Sequence, residues 1–91
     1  MELTMRMRQE KDNRKMLTSY LLGRLNPDFL RSSTHVPPLG IHGDNTNEQA
    51  VSTWANRKLD ENPDQLQGLT SVFMVDTYRE LQEILLENEY L

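Results

Sequence analysis

The chain has no cysteine. That one absence excludes disulfides, thiolate zinc sites, iron–sulfur clusters and cysteine nucleophiles. Apolar residues are also scarce, at 36% of 91 residues. One copy can therefore bury only a modest core, and cores of that size are commonly supplemented by oligomerisation, a metal or a partner. Long hydrophobic runs are missing too. Val72–Val75 is among the longest, against the roughly 20 residues that span a bilayer. The opening MELTMRMRQEKDNRK is charged throughout, unlike the apolar stretch of roughly 7–15 residues in a secretory signal. The expectation is a cytoplasmic protein forming a single domain over residues 1–91.

What is present favours helices. Met16, Leu17, Tyr20, Leu21 and Leu25 share one helical face, which predicts a helix over about 3–25. Before Met16 that face thins to Met5, Gln9 and Asp12, so the first turns should project beyond the core. Asn26-Pro27 ends this helix, because proline disfavours helical geometry in the residue before it. Phe29 and Leu30 follow as an apolar plug. Thr46-Asn47-Glu48-Gln49 fits a capping box, and Ala50, Val51, Trp54, Ala55 and Leu59 continue at helical spacing, predicting a helix over 46–61. Asn62-Pro63 closes it and opens a third helix over 63–89, with Leu66, Leu69, Val72 or Phe73, Leu81, Ile84 and Leu85 along one side. Gly68 weakens that helix. Val72–Val75 has a strand-like composition but no second strand to pair with. The fold class expected is all-α: three helices joined by a long Pro/Gly loop at 26–45.

That loop contains THVPPLGIHGDN and both histidines of the chain. Val36 should be extended ahead of Pro37-Pro38, and Pro37–Leu39 reads as polyproline. Gly40 and Gly43 admit backbone angles that other residues resist. His35, His42 and Asp44 could ligate a metal, yet prolines and glycines separate them where ligand sets use rigid spacing. No metal and no cofactor are expected. A glycine turn leading into a helix start suits an anion or nucleotide, which makes His35, Gly40, His42, Gly43, Asp44 and Thr46 candidate ligand-binding residues. Against this, no Lys or Arg occurs from Ser32 to Asn56, and neither a Walker nor a dinucleotide fingerprint is present. A folded loop stapled onto the core by Val36, Leu39 and Ile41 is the preferred reading. Ser32, Ser33, His35 and Asp44 hold the ingredients of a catalytic triad without a nucleophile elbow. The chain is therefore read as non-enzymatic.

Charge is distributed unevenly. Residues 1–31 carry seven Lys/Arg and four Asp/Glu, whereas residues 44–91 carry three and ten. Arg8, Lys11 and Lys15 share a face at i, i+3, i+7, which suits phosphates, but Glu10 and Asp12 dilute the patch and no aromatic lies among the cations to stack a base. A solvated face with a Glu10–Arg14 pair at i, i+4 is the preferred reading. More informative is the placement of charge at helix ends. A helix start is partly positive and its end partly negative. This chain nevertheless puts Arg6 and Arg8 near the first start, and Glu83, Glu87 and Glu89 near the last end. Each end is disfavoured alone, but the two are complementary. In an up-down-up bundle the first and third helices run parallel, so these ends would meet between subunits, head to tail, or each would meet an outside partner. The alternative is screened surface charge that is simply tolerated. Met74, Tyr78, Leu86, Tyr90 and Leu91 also lie off the main stripe of the third helix, and a helix apolar on more than one side packs on more than one side.

These observations give the functional expectation. The chain should be a small interaction module that binds a protein partner or itself as a homo-oligomer. Met74, Tyr78, Leu86 and Tyr90 would form the contact; Arg8, Lys11, Lys15 and Glu87 would set orientation. Small cysteine-free proteins of this character are often regulators or inhibitors of larger machines, phage accessory proteins included. The alternatives are a nucleic-acid-binding factor using the first helix and a small-ligand or nucleotide binder using the loop at 34–46.

Overall fold

Two Asn-Pro pairs punctuate the chain, and both do the same work. In a computed structural model describing residues 2–31, 36–40 and 46–91, α1 runs over Glu2–Arg24 and stops short of Asn26-Pro27. The Asn26 side chain then accepts from the Asp28 backbone N–H at 2.8 Å and starts a short helix, α2, over Pro27–Arg31. Helix α3 spans Asn47–Glu61. Asn62 closes it through its own N–H and side chain, donating to the Leu59 and Lys58 carbonyls, and α4 begins at once over Pro63–Gln67. Helix α5 covers Ser71–Glu87. No strand occurs among the described residues, so Val72–Val75 is helix.

Three expectations need correction. The stretch 63–89 is not one helix but two. Gly68 sits at φ −157°, ψ 73°, and Thr70 caps a new start by accepting from the Phe73 N–H at 3.2 Å. The break is supported from outside: Asn13 and Gln9 of α1 donate their side-chain amides to the Leu66 and Gln67 carbonyls, at 2.7 and 2.5 Å. The last carbonyls of α4 are thus satisfied without helical continuation. Next, Pro37–Leu39 is a 3-10 helix rather than polyproline. Val36 is extended as expected, but the Leu39 and Gly40 N–H groups turn back onto the Val36 and Pro37 carbonyls. Last, α2 occupies part of the expected loop, with Phe29 buried beneath it.

The core is built from Leu17, Leu21 and Leu25 of α1, Ala50, Val51, Trp54, Ala55 and Leu59 of α3, and Leu81 and Leu85 of α5. Val36, Leu39, Phe29 and Leu66 complete it. On α1 the buried line is Asn13, Leu17, Leu21, Leu25, a strict four-residue step, while Met16 is 51% exposed. On α5 the same step runs Thr77, Leu81, Leu85, leaving Val72 exposed and Phe73 half-buried.

Cross-links set the relative directions. Arg14 reaches Asp60 and Asn56 at 2.6 and 2.8 Å, and Asn47 donates to the Phe29 carbonyl, so α3 runs antiparallel to α1. The Tyr78 hydroxyl donates to the Arg24 carbonyl at 3.1 Å, while the end of α4 lies beside Gln9 and Asn13. Helix α5 therefore runs parallel to α1 and continues past its C-terminal end. The described chain is 45 Å long and 27 Å wide.

Candidate functional site

The loop that held the ligand candidates is partly described. His35, His42, Gly43 and Asp44 lie outside the described residues. Gly40 and Thr46 are described, and both are committed. Thr46 Oγ1 accepts from the Gln49 N–H at 3.1 Å, which uses the threonine half of the expected capping box to satisfy the first turn of α3. Gly40 adopts φ 77°, the left-handed region that side chains resist. Arg57 Nη2 donates to the Leu39 carbonyl at 3.0 Å and lies so near that a Cβ on Gly40 would meet it at 2.8 Å. The sequence placed no cation between Ser32 and Asn56; the fold brings Arg57 there from α3. Gly40→Val is accordingly expected to destabilise the chain by about 1–3 kcal/mol through backbone strain and displacement of Arg57. For a domain of this size each 1 kcal/mol lowers Tm by roughly 4–8 °C, so a melting curve within 2 °C of wild type would contradict that account.

Among the described residues, no group of three His, Asp or Glu could hold a metal. No helix there is long and apolar enough to cross a membrane. Asn47 presents an odd feature beside the loop: it is 2% exposed, its amide serves Phe29, and its Oδ1 has no hydrogen-bond partner among the described residues.

The interaction candidates divide. Met74 and Tyr78 are half-buried against the core. Tyr78 is further engaged by its bond to the Arg24 carbonyl, and the Arg24 guanidinium stacks over Tyr20 at 4.9 Å and Tyr78 at 6.0 Å. Leu86 and Tyr90 are exposed, at 53% and 36%. On α1, Arg8, Lys11 and Lys15 are all exposed. Arg14 is not paired with Glu10; it crosses to Asp60 on α3, because that partner lies across the helix interface and Asn56 supplies a second acceptor.

Two ends of the molecule therefore stand out. One is α1 from its first turns, which precede its contacts with α4 and leave Met5 70% and Met7 62% exposed beside Arg6 and Arg8. It continues to Lys11, Lys15 and Met16, the last 51% exposed. The other is the end of α5, where Leu86, Tyr90 and Leu91 are exposed beside Glu83, Glu87 and Glu89. Sequence reading named most of the second end and expected the first turns of α1 to project, but it counted Met16 with the core-facing side and offered none of the three methionines as contacts. Their signal was present: Met5 and Met7 precede Asn13, the first buried position of α1 among the described residues.

The tail is shaped in an unfavourable way. Glu89 has φ 62°, a conformation that non-glycine residues seldom take. It is held by the Tyr90 N–H, which donates to the Leu85 carbonyl at 2.8 Å, and by Asn88, whose side chain donates to the Ile84 carbonyl at 2.8 Å. An acidic residue at the negative end of a helix adds an electrostatic cost to the conformational one.

Comparison of the chain with family models, curated proteins and solved structures finds no match in any of the three.

Proposed function

We propose that this chain is a non-enzymatic protein–protein interaction module of the cytoplasm, acting as a regulator or inhibitor through association at its two ends. One observation carries the reading: large exposed apolar side chains occur at both ends. On α1 they lie among a net excess of cations, with Glu10 and Asp12 interspersed, and at the end of α5 they lie among carboxylates. Methionine adapts to irregular partners, and methionine and tyrosine are enriched at interfaces. Nucleic-acid binding is the second reading, favoured by the exposed line of Arg8, Lys11 and Lys15. It is weakened by the lack of an aromatic beside those cations, since Tyr20 is already under Arg24.

The test is native mass spectrometry directly from cell lysis at low and moderate ionic strength. Wild type is expected in a discrete complex containing a protein partner or a second copy. Leu86→Glu combined with Tyr90→Glu should release a folded monomer with an unchanged far-ultraviolet circular dichroism spectrum, since neither side chain belongs to the buried core. A bare wild-type monomer at both ionic strengths would overturn the proposal. Bound nucleic acid released by salt would favour the second reading.

A further inference from the structure

The geometry points to a second copy of this chain as the partner, docked antiparallel so that the basic half of α1 lies on the acidic end of α5 in both directions. This rests on the reading of the chain as an interaction module and names its partner.

The argument begins with position. Helices α1 and α5 run parallel, with Gln67 beside Gln9 and Tyr78 beside Arg24. The start of α1 and the end of α5 consequently occupy opposite poles of a molecule 45 Å long. No ion pair or side-chain hydrogen bond among the described residues links them. Among the described residues the ion pairs are Arg14–Asp60, Arg31–Asp28 and Lys58–Glu80; Arg6, Arg8, Lys11 and Lys15 enter none, nor do Glu83, Glu87 and Glu89. Arg6 and Arg8 near the start of α1, and Glu87 in the last turn of α5, oppose their own helix dipoles. Glu10 and Asp12 offset part of the positive charge of α1, and the acidic end of α5 complements the excess that remains.

Charge then selects the arrangement. A parallel pair would set base on base and acid on acid. Pairing α5 with α5 would oppose Asp76, Glu80, Glu83 and Glu87 to their own copies, with Arg79 the only cation on that helix. An antiparallel pair forms the same complementary contact twice around a two-fold axis, and two-fold dimers are the commonest closed assemblies. The contact also covers apolar surface on both sides, placing Met5 and Met16 of one protomer against Leu86 and Tyr90 of its partner.

Charge reversal tests this in the full-length protein. One variant carries Arg6→Glu and Arg8→Glu, the other Glu83→Arg and Glu87→Arg; all four side chains are exposed. Each variant alone should dissociate at least about tenfold more readily than wild type at low salt, as expected when several cross-interface pairs become repulsive. Each should remain folded, with an unchanged far-ultraviolet circular dichroism spectrum, since the exposed side chains it replaces enter no ion pair among the described residues. Mixed in equal amounts they should form a one-to-one heterodimer, seen as a single mixed mass by native mass spectrometry, since both contacts become complementary again.

A homodimer of either variant as tight as wild type overturns the inference, and so does a mixture of folded monomers. An open ladder of masses overturns the two-fold arrangement. A purified wild-type monomer that leaves the lysate bound to a different protein overturns the second-copy partner while the interaction module stands. A monomer in both settings overturns both.

Discussion

Trp54→Ala is expected to destabilise the fold by about 3–5 kcal/mol, the range for removing a large aromatic side chain from a core. Trp54 is 4% exposed and sits between Val51, Ala55 and Leu59, the buried residues of α3. Its role extends past packing. The Lys58 ammonium lies 5.4 Å from the ring centre and pairs with Glu80 of α5 at 2.5 Å, so the indole supports a link between α3 and α5. Domains of this kind are stable by only about 5–15 kcal/mol, and small ones lie toward the low end. The variant should therefore populate the unfolded state measurably at 37 °C. Urea unfolding followed by circular dichroism is the suitable measurement, because the chain's single tryptophan is the residue removed. A loss below about 1 kcal/mol would mean that the core collapses around the gap and that Trp54 is not its centre.

Leu39→Ala should destabilise by about 2–5 kcal/mol, as for a leucine in any well-packed core. This is a sharper test of the structure, because the residue lies in a Pro/Gly segment rather than on one of the long helices. It is 0% exposed, and its 3-10 helix packs on both α3 and α5. Val36, three residues earlier, is 1% exposed. The proline turn thus inserts two side chains where the helices leave space, and Gly40 with Arg57 closes it. Exposed Pro37 offers the contrast. Pro37→Ala should lose less than about 1 kcal/mol, chiefly from greater freedom of the unfolded chain. Equal losses at Pro37 and Leu39 would show that the turn, rather than the buried leucine, carries the effect.

Much of this was legible because it is local. Helix starts and stops depend on residues within one turn: Asn-Pro at 26–27 and 62–63, and Thr46 with its bond to the Gln49 N–H. The apolar step on α1 and α3 named nearly the whole buried set in advance. What escaped depended on partners distant in the chain. The break at Gly68 relies on amides from Asn13 and Gln9, more than 50 residues away. Arg14 chose Asp60 over the nearby Glu10 because α3 lies against α1 and Asn56 reinforces the pair.

The candidate interface divided for the same reason. Met74, Tyr78, Leu86 and Tyr90 are alike in sequence as apolar residues off the main stripe. Helix α5 lies beside α1 only along its first half, where Tyr78 meets Arg24, and then runs past the end of α1. Met74 and Tyr78 thereby become part of the fold, while Leu86 and Tyr90 remain exposed.

By itself, then, the amino-acid order determined the helical class, most helix boundaries, the principal core residues and the opposed charges of the two ends. Each follows from periodicity, capping or composition, which act over a few residues. Only the tertiary structure decided that α5 is separate from α4, that Pro37–Leu39 turns as a 3-10 helix, and that Arg14 pairs across to Asp60. Those outcomes depend on which surfaces meet, and packing is settled by the whole chain at once.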